Sequence, residues 1–292
     1  MKLQKRGMYM PIRFSQFILG TVLAAACVSH ALADEIPIIP EVKDSGKLTI
    51  ASSLGYAPFE YVDEQGKPVG LDIELASAVA DLLHAKLDIV TIPFASQIPG
   101  LAAGRIKVAW ATFSVTEERI KQVDFVTFLQ AGTVIATLPE NKGKFASQNG
   151  ICGKAVAVQT GTSADFAADK LSAICEAANL PAIKKSIYPD QKDTIQAVLS
   201  GRAEARLDDS TSAGYYEVTS NGKLVVVGES YYPTPLGVAV AKGDKATAAM
   251  LEAALQKLIS DGTYEAILKK YNMTNSALPK PVVYTDASQI KQ

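Results

Sequence analysis

A short segment of this chain recurs at a fixed distance, and this recurrence restricts the fold more than any other sequence feature. The sequence LAAGRI at 101–106 is matched by VLSGRA at 198–203, a constant offset of 97 residues. In each copy an apolar helical stretch ends at a glycine, as repeated structural units often do. The repeat therefore predicts two lobes of similar construction.

Short predicted strands alternate with helices along much of the chain. This alternation is typical of α/β proteins with parallel sheets. A content of 48% hydrophobic and 20% charged residues argues against disorder. Strands are predicted at 47–52, 87–93, 106–112 and 154–159, and helices at 72–83, 98–103, 194–200, 245–260 and 264–271.

The first 33 residues have the layout of a secretory signal. A basic start is followed by an apolar run, Phe17–Val28, which is shorter than the roughly 20 residues of a membrane span. Ala31-Leu32-Ala33 then matches the small-x-small pattern of a cleavage site. We therefore expect 1–33 to be removed and the mature protein to be periplasmic. A lipid anchor at Cys27 is less favoured, because the sequence before it matches a lipobox only loosely.

Two cysteines, Cys152 and Cys175, follow the leader. An even pair in an exported chain predicts a disulfide, here closing a loop of 23 positions, with two buried thiols as the alternative. His84 is the sole histidine after the leader and no Cys-x-x-Cys is present, so neither a metal site nor a cofactor is predicted. The net charge of −1 becomes −5 without the four basic leader residues, which disfavours nucleic acid as a partner.

Residues that follow each strand are the candidates for a binding site, since ligands of open α/β sheets bind beyond the carboxyl ends of the strands. Aromatic rings, hydroxyls, one arginine and one aspartate occupy these positions. The candidate ligand-binding residues are Ser53, Tyr56, Phe94, Thr112, Ser114, Arg119, Thr162, Ser163 and Asp209.

These residue types suit a small zwitterion. Arg119 offers a planar fork of donors to a carboxylate. Thr162 and Ser163 stand where a helix begins, and helix N-termini favour anions. Asp209 can pair with an ammonium group, and aromatic rings can cover an apolar part of the ligand.

Sequence signatures of catalysis are lacking. The chain holds no Gly-x-Ser-x-Gly, His-Glu-x-x-His or P-loop sequence. Asp208 and Asp209 adjoin, but neighbours along a strand point apart, unlike the facing carboxylates of a glycosidase. A nucleophilic serine would need a base, and His84 lies on a predicted helix far in sequence from the strand ends. We therefore predict binding without catalysis.

Five segments, in order, resemble the signatures of the family 3 bacterial solute-binding proteins, the periplasmic amino-acid receptors of ABC importers. The similarity extends over roughly 47–271. The segments are Gly70–Ala80 (GLDIELASAVA), Ser114–Arg119 followed by Val123-Asp124-Phe125, Gln159–Ser163 (QTGTS), Asp209 itself, and Asp261–Tyr264 (DGTY).

The resemblance implies a type II periplasmic binding protein fold, in which two α/β lobes are joined by a two-segment hinge. Crossings near 129–133 and 233–237 would make lobe 1 from 34–131 and 236–292, and lobe 2 from 132–235. It also implies that a monomer closes by hinge rotation and docks on a membrane permease.

The resemblance further implies roles for the site residues. Arg119, Thr162 and Ser163 would hold the ligand carboxylate, and Asp209 would hold the α-amino group. Ser114 and the backbone near Thr112 would add hydrogen bonds to the ligand. Tyr56 and Phe94 would stack over the ligand side chain.

One departure from the family pattern bears on specificity. Many family members have Asp at the position of Ser53, where it meets a cationic side chain. Ser53 therefore favours a neutral or acidic ligand over a basic one, while the effect of Arg206 and Asp208 stays open. An exported prephenate or arogenate (cyclohexadienyl) dehydratase on the same fold is the alternative, since such enzymes resemble these receptors.

Overall fold

The computed structural model describes residues 7, 35–147 and 149–290. The chain divides into two units, and the second, 36–292, contains all the elements given below. The predicted leader, with its Cys27, lies outside the described residues except for Gly7. No helix within the described ranges has the length and apolar character needed to cross a membrane.

The described residues form a mixed α/β structure, which confirms the predicted fold class. Its α-helices are α1 Pro40–Ser45, α2 Leu71–Leu82, α3 Phe94–Ala102, α4 Glu117–Ile120, α5 Ser163–Ala177, α6 Gln191–Leu199, α7 Ser210–Thr219, α8 Lys245–Ser260 and α9 Thr263–Lys270. Its strands are β1 Lys47–Ser52, β2 Gly55–Tyr56, β3 Glu60–Val62, β4 Pro68–Val69, β5 Lys86–Thr91, β6 Val108–Ser114, β7 Val123–Thr137, β8 Ala155–Gln159, β9 Lys184–Tyr188, β10 Ala205–Asp209, β11 Val225–Ala241 and β12 Ala277–Tyr284.

One sheet has the strand order β5-β1-β6-β11-β7-β10-β8-β9, with β12 paired to β7 outside this path. Strand β1 is parallel to β5 and β6, and β8 is parallel to β9 and β10. The long strands β7 and β11 lie between these two parallel groups and are antiparallel to each other. The carboxyl ends of β1, β6, β8 and β10 carry the site described below.

The sequence repeat is confirmed at the level of whole elements. Helices α3 and α6 begin 97 residues apart, at Phe94 and Gln191, and end 97 residues apart. Strands β6 and β10 also begin 97 residues apart, at Val108 and Ala205. Both helices start several residues before the predicted 98 and 194. The prediction relied on the spacing of apolar residues, which does not detect a first turn of polar residues such as Gln191-Lys192-Asp193, even where one of them, Gln191, is buried.

Two hydrophobic clusters lie on either side of the long strands. The first packs β1 and β6 against α2 and α8, and Trp110 is fully buried within it. The second packs β8 and β10 against α5 and includes Leu171 and Cys175. Cys152 and Cys175 form a disulfide, as predicted. Because each cluster is built on its own parallel strands, each half of the chain has its own core.

The long strands continue through the region where the hinge is predicted. Their pairing shifts register between Val227 and Gly237, opposite the segment 127–135 of β7. Glycine is needed at two positions of these strands, because an added Cβ would meet the neighbouring strand. A Cβ at Gly132 would collide with Ser230, and one at Gly237 would collide with the carbonyl of Val126. The lobe boundaries at 131/132 and 235/236 stay a prediction.

Candidate ligand-binding site

A single pocket contains all nine residues predicted from the strand ends. It also includes neighbours that the prediction left open or did not name. The lining residues are Ser53, Tyr56, Phe94, Ala111, Thr112, Ser114, Arg119, Gln159, Thr162, Ser163, Ala164, Arg206, Leu207, Asp208 and Asp209. They come from both halves of the repeat, so the pocket lies between the two parallel groups of strands.

Local capping explains how several of these residues are placed. Thr116 is the N-cap of α4 and accepts a hydrogen bond from the backbone N–H of Arg119 at 3.3 Å. Thr162 caps α5 by accepting from the backbone N–H of Asp165 at 3.2 Å, and it donates to the Gln159 carbonyl at 2.8 Å. The Thr162 hydroxyl is therefore occupied by the helix end, and its side chain has limited capacity for other partners.

Arg119 is a buried cation surrounded by carbonyls and aromatic rings. It is 3% exposed, and its guanidinium donates to the carbonyls of Ser114 at 2.9 Å and Gly161 at 2.8 Å. Its Cζ lies 5.4 Å from the ring centroids of Phe94 and Phe113. None of the ion pairs within the described ranges includes Arg119. Burial lowers its pKa to about 10, so it stays charged at neutral pH and can receive a carboxylate.

Two aspartates from the end of β10 converge on one hydroxyl. The hydroxyl oxygen of Tyr56 lies 3.2 Å from Asp208 Oδ1 and 3.0 Å from Asp209 Oδ2. The two carboxylates share its O–H donor. Ser163 Oγ also donates to Asp209, at 3.2 Å. Burial, and then the charge of Asp208, raise the pKa of Asp209 to about 6, so Asp209 is ionised at neutral pH.

Asp208 and Asp209 therefore converge at this point, although alternation along a continuing strand would separate them. Both carboxylates line the same pocket. The strand ends at Asp209 and α7 begins at Ser210, so alternation no longer directs the two side chains to opposite sides. The tyrosine hydroxyl that joins them is about 150 residues away in sequence, and neither spacing nor periodicity could reveal it.

Two buried acids behind the pocket were not predicted. Glu60 accepts from Ser53 Oγ at 2.8 Å and from Ser52 Oγ at 3.1 Å. Asp72 accepts from Thr112 Oγ1 at 2.6 Å. Burial raises the pKa of Glu60 to about 8 and that of Asp72 to about 7. The available signal was an acidic residue inside an apolar stretch, at Phe59-Glu60-Tyr61 and at the start of α2.

Arg206 forms a buried ion pair beside the acids. It is 1% exposed, and its Nη2 lies 2.6 Å from Asp208 Oδ2. Gln191 Nε2 also donates to Asp208, at 3.1 Å, and Arg206 Nε donates to Thr194 Oγ1 at 3.0 Å. The pair compensates the Asp208 charge within the wall of the pocket, so Asp209 and Arg119 are left as the two opposite charges available to a ligand.

Comparison with known proteins agrees with the fold and the strand-end motifs. Residues 48–274 match the family described as bacterial extracellular solute-binding proteins, family 3. The chain belongs to this family. Its architecture is the type II periplasmic binding protein fold shared by its structural neighbours, as the resemblance implied.

Individual relatives are named for amino-acid binding. The arginine-binding protein ArgT of Corynebacterium glutamicum is 29% identical over 84% of this chain and 81% of its own length. The crystal structure of the ancestral amino acid-binding protein AncCDT-1, a precursor of cyclohexadienyl dehydratase, is 32% identical with a TM-score of 0.72, covering 79% of this chain and 97% of the other. An ancestral arginine-binding protein bound to glutamine is also 32% identical, with a TM-score of 0.69 and coverages of 77% and 97%.

Proposed function

We propose that this protein is the solute-binding component of an ABC importer and captures a polar L-α-amino acid in the pocket between its two lobes. It would release the amino acid to a membrane permease. Family membership and relatives named for amino-acid binding support the general function. The particular site and ligand rest on the chemistry of the pocket.

The observation that carries the proposal is a pair of opposite, buried charges in one pocket. Arg119 is 3% exposed and Asp209 is 8% exposed, and both line the pocket without an ion pair between them. The two charges match the α-carboxylate and α-ammonium of an amino acid. Charge-assisted hydrogen bonds to a zwitterion would offset the cost of burying both groups.

The other seven predicted residues complete the proposed site. The N-terminus of α5, at Thr162 and Ser163, would share the carboxylate with Arg119. The Ser114 hydroxyl and the backbone at Thr112 would add hydrogen bonds to the α-substituents. The rings of Tyr56 and Phe94 would cover the ligand side chain, and Ser53 would border its far end.

The charges of the pocket favour a ligand with a neutral or acidic side chain. Asp208 is compensated by Arg206, and Asp209 is reserved for the α-ammonium group. Glu60 lies behind Ser53, and its pKa of about 8 leaves it largely protonated at pH 7. A cationic side chain would therefore find no free carboxylate, even though relatives are named for arginine.

The transport cycle would follow from the two-lobed construction. We propose that lobe 1 consists of 34–131 and 236–292, that lobe 2 is 132–235, and that β7 and β11 flex where their pairing shifts register. A monomer, exported to the periplasm by the leader 1–33, would close around the ligand by hinge rotation. The separate core of each half supports such rigid-body movement.

A thermal-shift screen across the twenty amino acids, followed by calorimetry, tests the proposal. We expect one amino acid or a small group to raise Tm in a saturable manner, because a ligand that binds only the folded state stabilises it. No response to any amino acid would contradict the proposal. Prephenate and arogenate should be incubated with the same sample, since their turnover would support the dehydratase alternative instead.

A further inference from the structure

Thr112, which lines the ligand pocket, has an unusual backbone conformation. Its φ is 47°, in the left-handed region. A β-branched side chain is strongly disfavoured there, because its two Cβ substituents crowd the backbone. Among the residues that the structure describes, Thr112 is the one β-branched residue with a positive φ. Such conformations persist only where the surroundings hold them, and they concentrate at functional sites.

The unusual conformation belongs to a bulge in β6. Between Ala109 and Phe113, β6 advances four residues while its antiparallel partner β11 advances two. Ala111 and Thr112 adjoin within this bulge, yet both line the pocket, whereas neighbours along a regular strand point apart. The bulge therefore brings two consecutive residues, and the backbone between them, to the pocket.

The side chain of Thr112 is bonded to a buried carboxyl group. Thr112 Oγ1 donates to Asp72 Oδ2 at 2.6 Å, and Asp72 is fully buried in the first turn of α2. Within the described ranges, Thr112 is the only residue that donates to this side chain, and Asp72 Oδ1 has no partner. Burial of a carboxyl group is costly. Here that cost is incurred where the single partner of the carboxyl group is a pocket residue.

The repeat shows that this arrangement is not required to build a helix–strand unit. Asp209 occupies the position equivalent to Thr112, 97 residues later, and its φ is −67°. No residue of β10 has a positive φ. The left-handed backbone and the buried acid that contacts it are thus features of the first half alone, which indicates a local role at the pocket.

We propose that Asp72 is a positioning residue for ligand binding. Its bond to the Thr112 hydroxyl keeps Thr112 at a positive φ, and this holds the backbone of Ala111 and Thr112 in the conformation that receives the α-substituents of the amino acid. The inference rests on the proposed function and adds a residue outside the pocket lining to it. Because all α-amino acids share these substituents, Asp72 governs how tightly they bind and not which of them is chosen.

A double-mutant cycle separates this role from a general structural one. Asp72→Ala is made in the wild-type protein and in Thr112→Gly, because glycine adopts a positive φ without help from a neighbour. The twenty L-amino acids are screened against the wild-type protein by thermal shift, and the one with the largest response is titrated into every variant by calorimetry. Asp81→Ala, which changes an exposed acid of the same helix, is the matched control. Urea unfolding checks that each variant folds.

We expect Asp72→Ala to weaken binding by about tenfold in the wild-type background, since Thr112 would relax to a negative φ. In the Thr112→Gly background the same change should alter the affinity less than about threefold. Asp72→Asn keeps an acceptor for the Thr112 hydroxyl, so it should lose less affinity than Asp72→Ala. Asp81→Ala should bind as the wild-type protein does.

A second comparison tests the backbone conformation without altering Asp72. Thr112→Gly and Thr112→Val both remove the hydroxyl, but only valine keeps the β-branch that disfavours a positive φ. Thr112→Gly should therefore bind more tightly than Thr112→Val. This pair decides the question if Asp72→Ala fails to fold.

Three outcomes would overturn the inference. Asp72→Ala could leave the affinity unchanged, or it could weaken binding equally in both backgrounds, which would indicate a structural role. Thr112→Val could also bind as tightly as Thr112→Gly, which would show that the positive φ is not needed. In each case the wild-type protein still binds an amino acid and the proposed function survives, whereas binding of none of the twenty would contradict both.

Discussion

The two copies of the repeat have the same backbone plan but different charges. Helices α3 and α6 and the strands that follow them are placed 97 residues apart. In β6 the two alternate positions are Ala109 and Ala111, whereas in β10 they are Arg206 and Asp208. The first copy thus has small apolar residues where the second has a buried ion pair. The same helix–strand unit therefore supports an uncharged strand in the first half and a charged strand in the second.

Two buried acids of the first half differ in their partners from Asp208 of the second half. In the first half, Asp72 and Glu60 are fully buried and accept only from hydroxyl groups and a backbone N–H. In the second half, Asp208 has a guanidinium at 2.6 Å. A buried acid without a base is more easily neutralised than one beside a base. The predictions below test this difference, from the largest expected effect to the smallest.

The same chemical change, Asp to Asn, should cost much more stability in the second half than in the first. Asp208→Asn removes one member of a buried ion pair and strands Arg206, so we expect it to lower the free energy of unfolding by about 3–5 kcal/mol. Asp72→Asn keeps an acceptor for Thr112 and removes a carboxylate that has no base, so a change within about 1 kcal/mol is expected. Urea unfolding at pH 7.5 measures both, and equal losses would refute the contrast.

The disulfide is a second difference, since Cys152 and Cys175 both belong to the second half. They are 23 positions apart in sequence, and the chain-entropy account gives such a link about 3 kcal/mol. The double variant Cys152→Ala with Cys175→Ala should lose about this much stability in urea unfolding. Mass measurement with thiol labelling, before and after reduction, provides the control. Two free thiols in the native exported protein would contradict the disulfide.

Each half should contribute one charge to ligand binding. Arg119→Ala from the first half and Asp209→Ala from the second each remove a charge-assisted contact worth roughly 1.5–3 kcal/mol. We therefore expect each to weaken amino-acid binding ten- to a hundredfold by calorimetry, with the fold retained. Arg105→Ala, an exposed arginine of the first half, is the matched control. Unchanged affinity in both variants would refute the site.

The smallest effect concerns the dependence of stability on pH. The folded-state pKa of Glu60, about 8, lies above its ordinary value of 4.5 because the side chain is buried. The folded protein therefore keeps a proton that the unfolded chain releases, so stability is lost as pH rises from about 4.5 to about 8. Glu60→Gln should reduce the loss between pH 5 and pH 8 by at least about 1.4 kcal/mol, the value of one pKa unit.

The control for this prediction is Glu64→Gln, which changes an exposed glutamate in the neighbouring turn. It should leave the slope of stability against pH as in the wild-type protein. An identical slope in wild type and Glu60→Gln would show that Glu60 does not hold its proton in the folded state.

Much of the fold could be predicted from local features. Strand β1 and helix α8 begin and end at the predicted residues, since each combines a periodic apolar pattern with clear end signals. The starts of α3 and α6 could not be predicted, because polar residues in their first turns interrupt the apolar pattern. The 15 and 17 residues of β7 and β11 follow from their pairing with each other and with strands from both halves, which no local pattern encodes.

Some residues of the candidate site could likewise be predicted from the sequence, and others could not. Arg119 and Asp209 could be found because they follow strands and stand in recognisable motifs. Glu60 and Asp72 could not, since burial of an acid depends on what packs over it. The sequence left open whether Asp208 reaches the pocket, because strand alternation holds only while the strand continues.

By itself, the sequence determined the repeat, the order of strands and helices, the cysteine pair and the residues at the strand ends. Each of these is visible along the chain without knowledge of which distant residues come into contact. Only the tertiary structure decided that Tyr56 reaches both Asp208 and Asp209, and that Glu60 is enclosed against the hydroxyl groups of Ser52 and Ser53. Such contacts join residues up to about 150 positions apart, and they exist because packing of the two halves removes these groups from water and leaves them only each other, or a ligand, as partners.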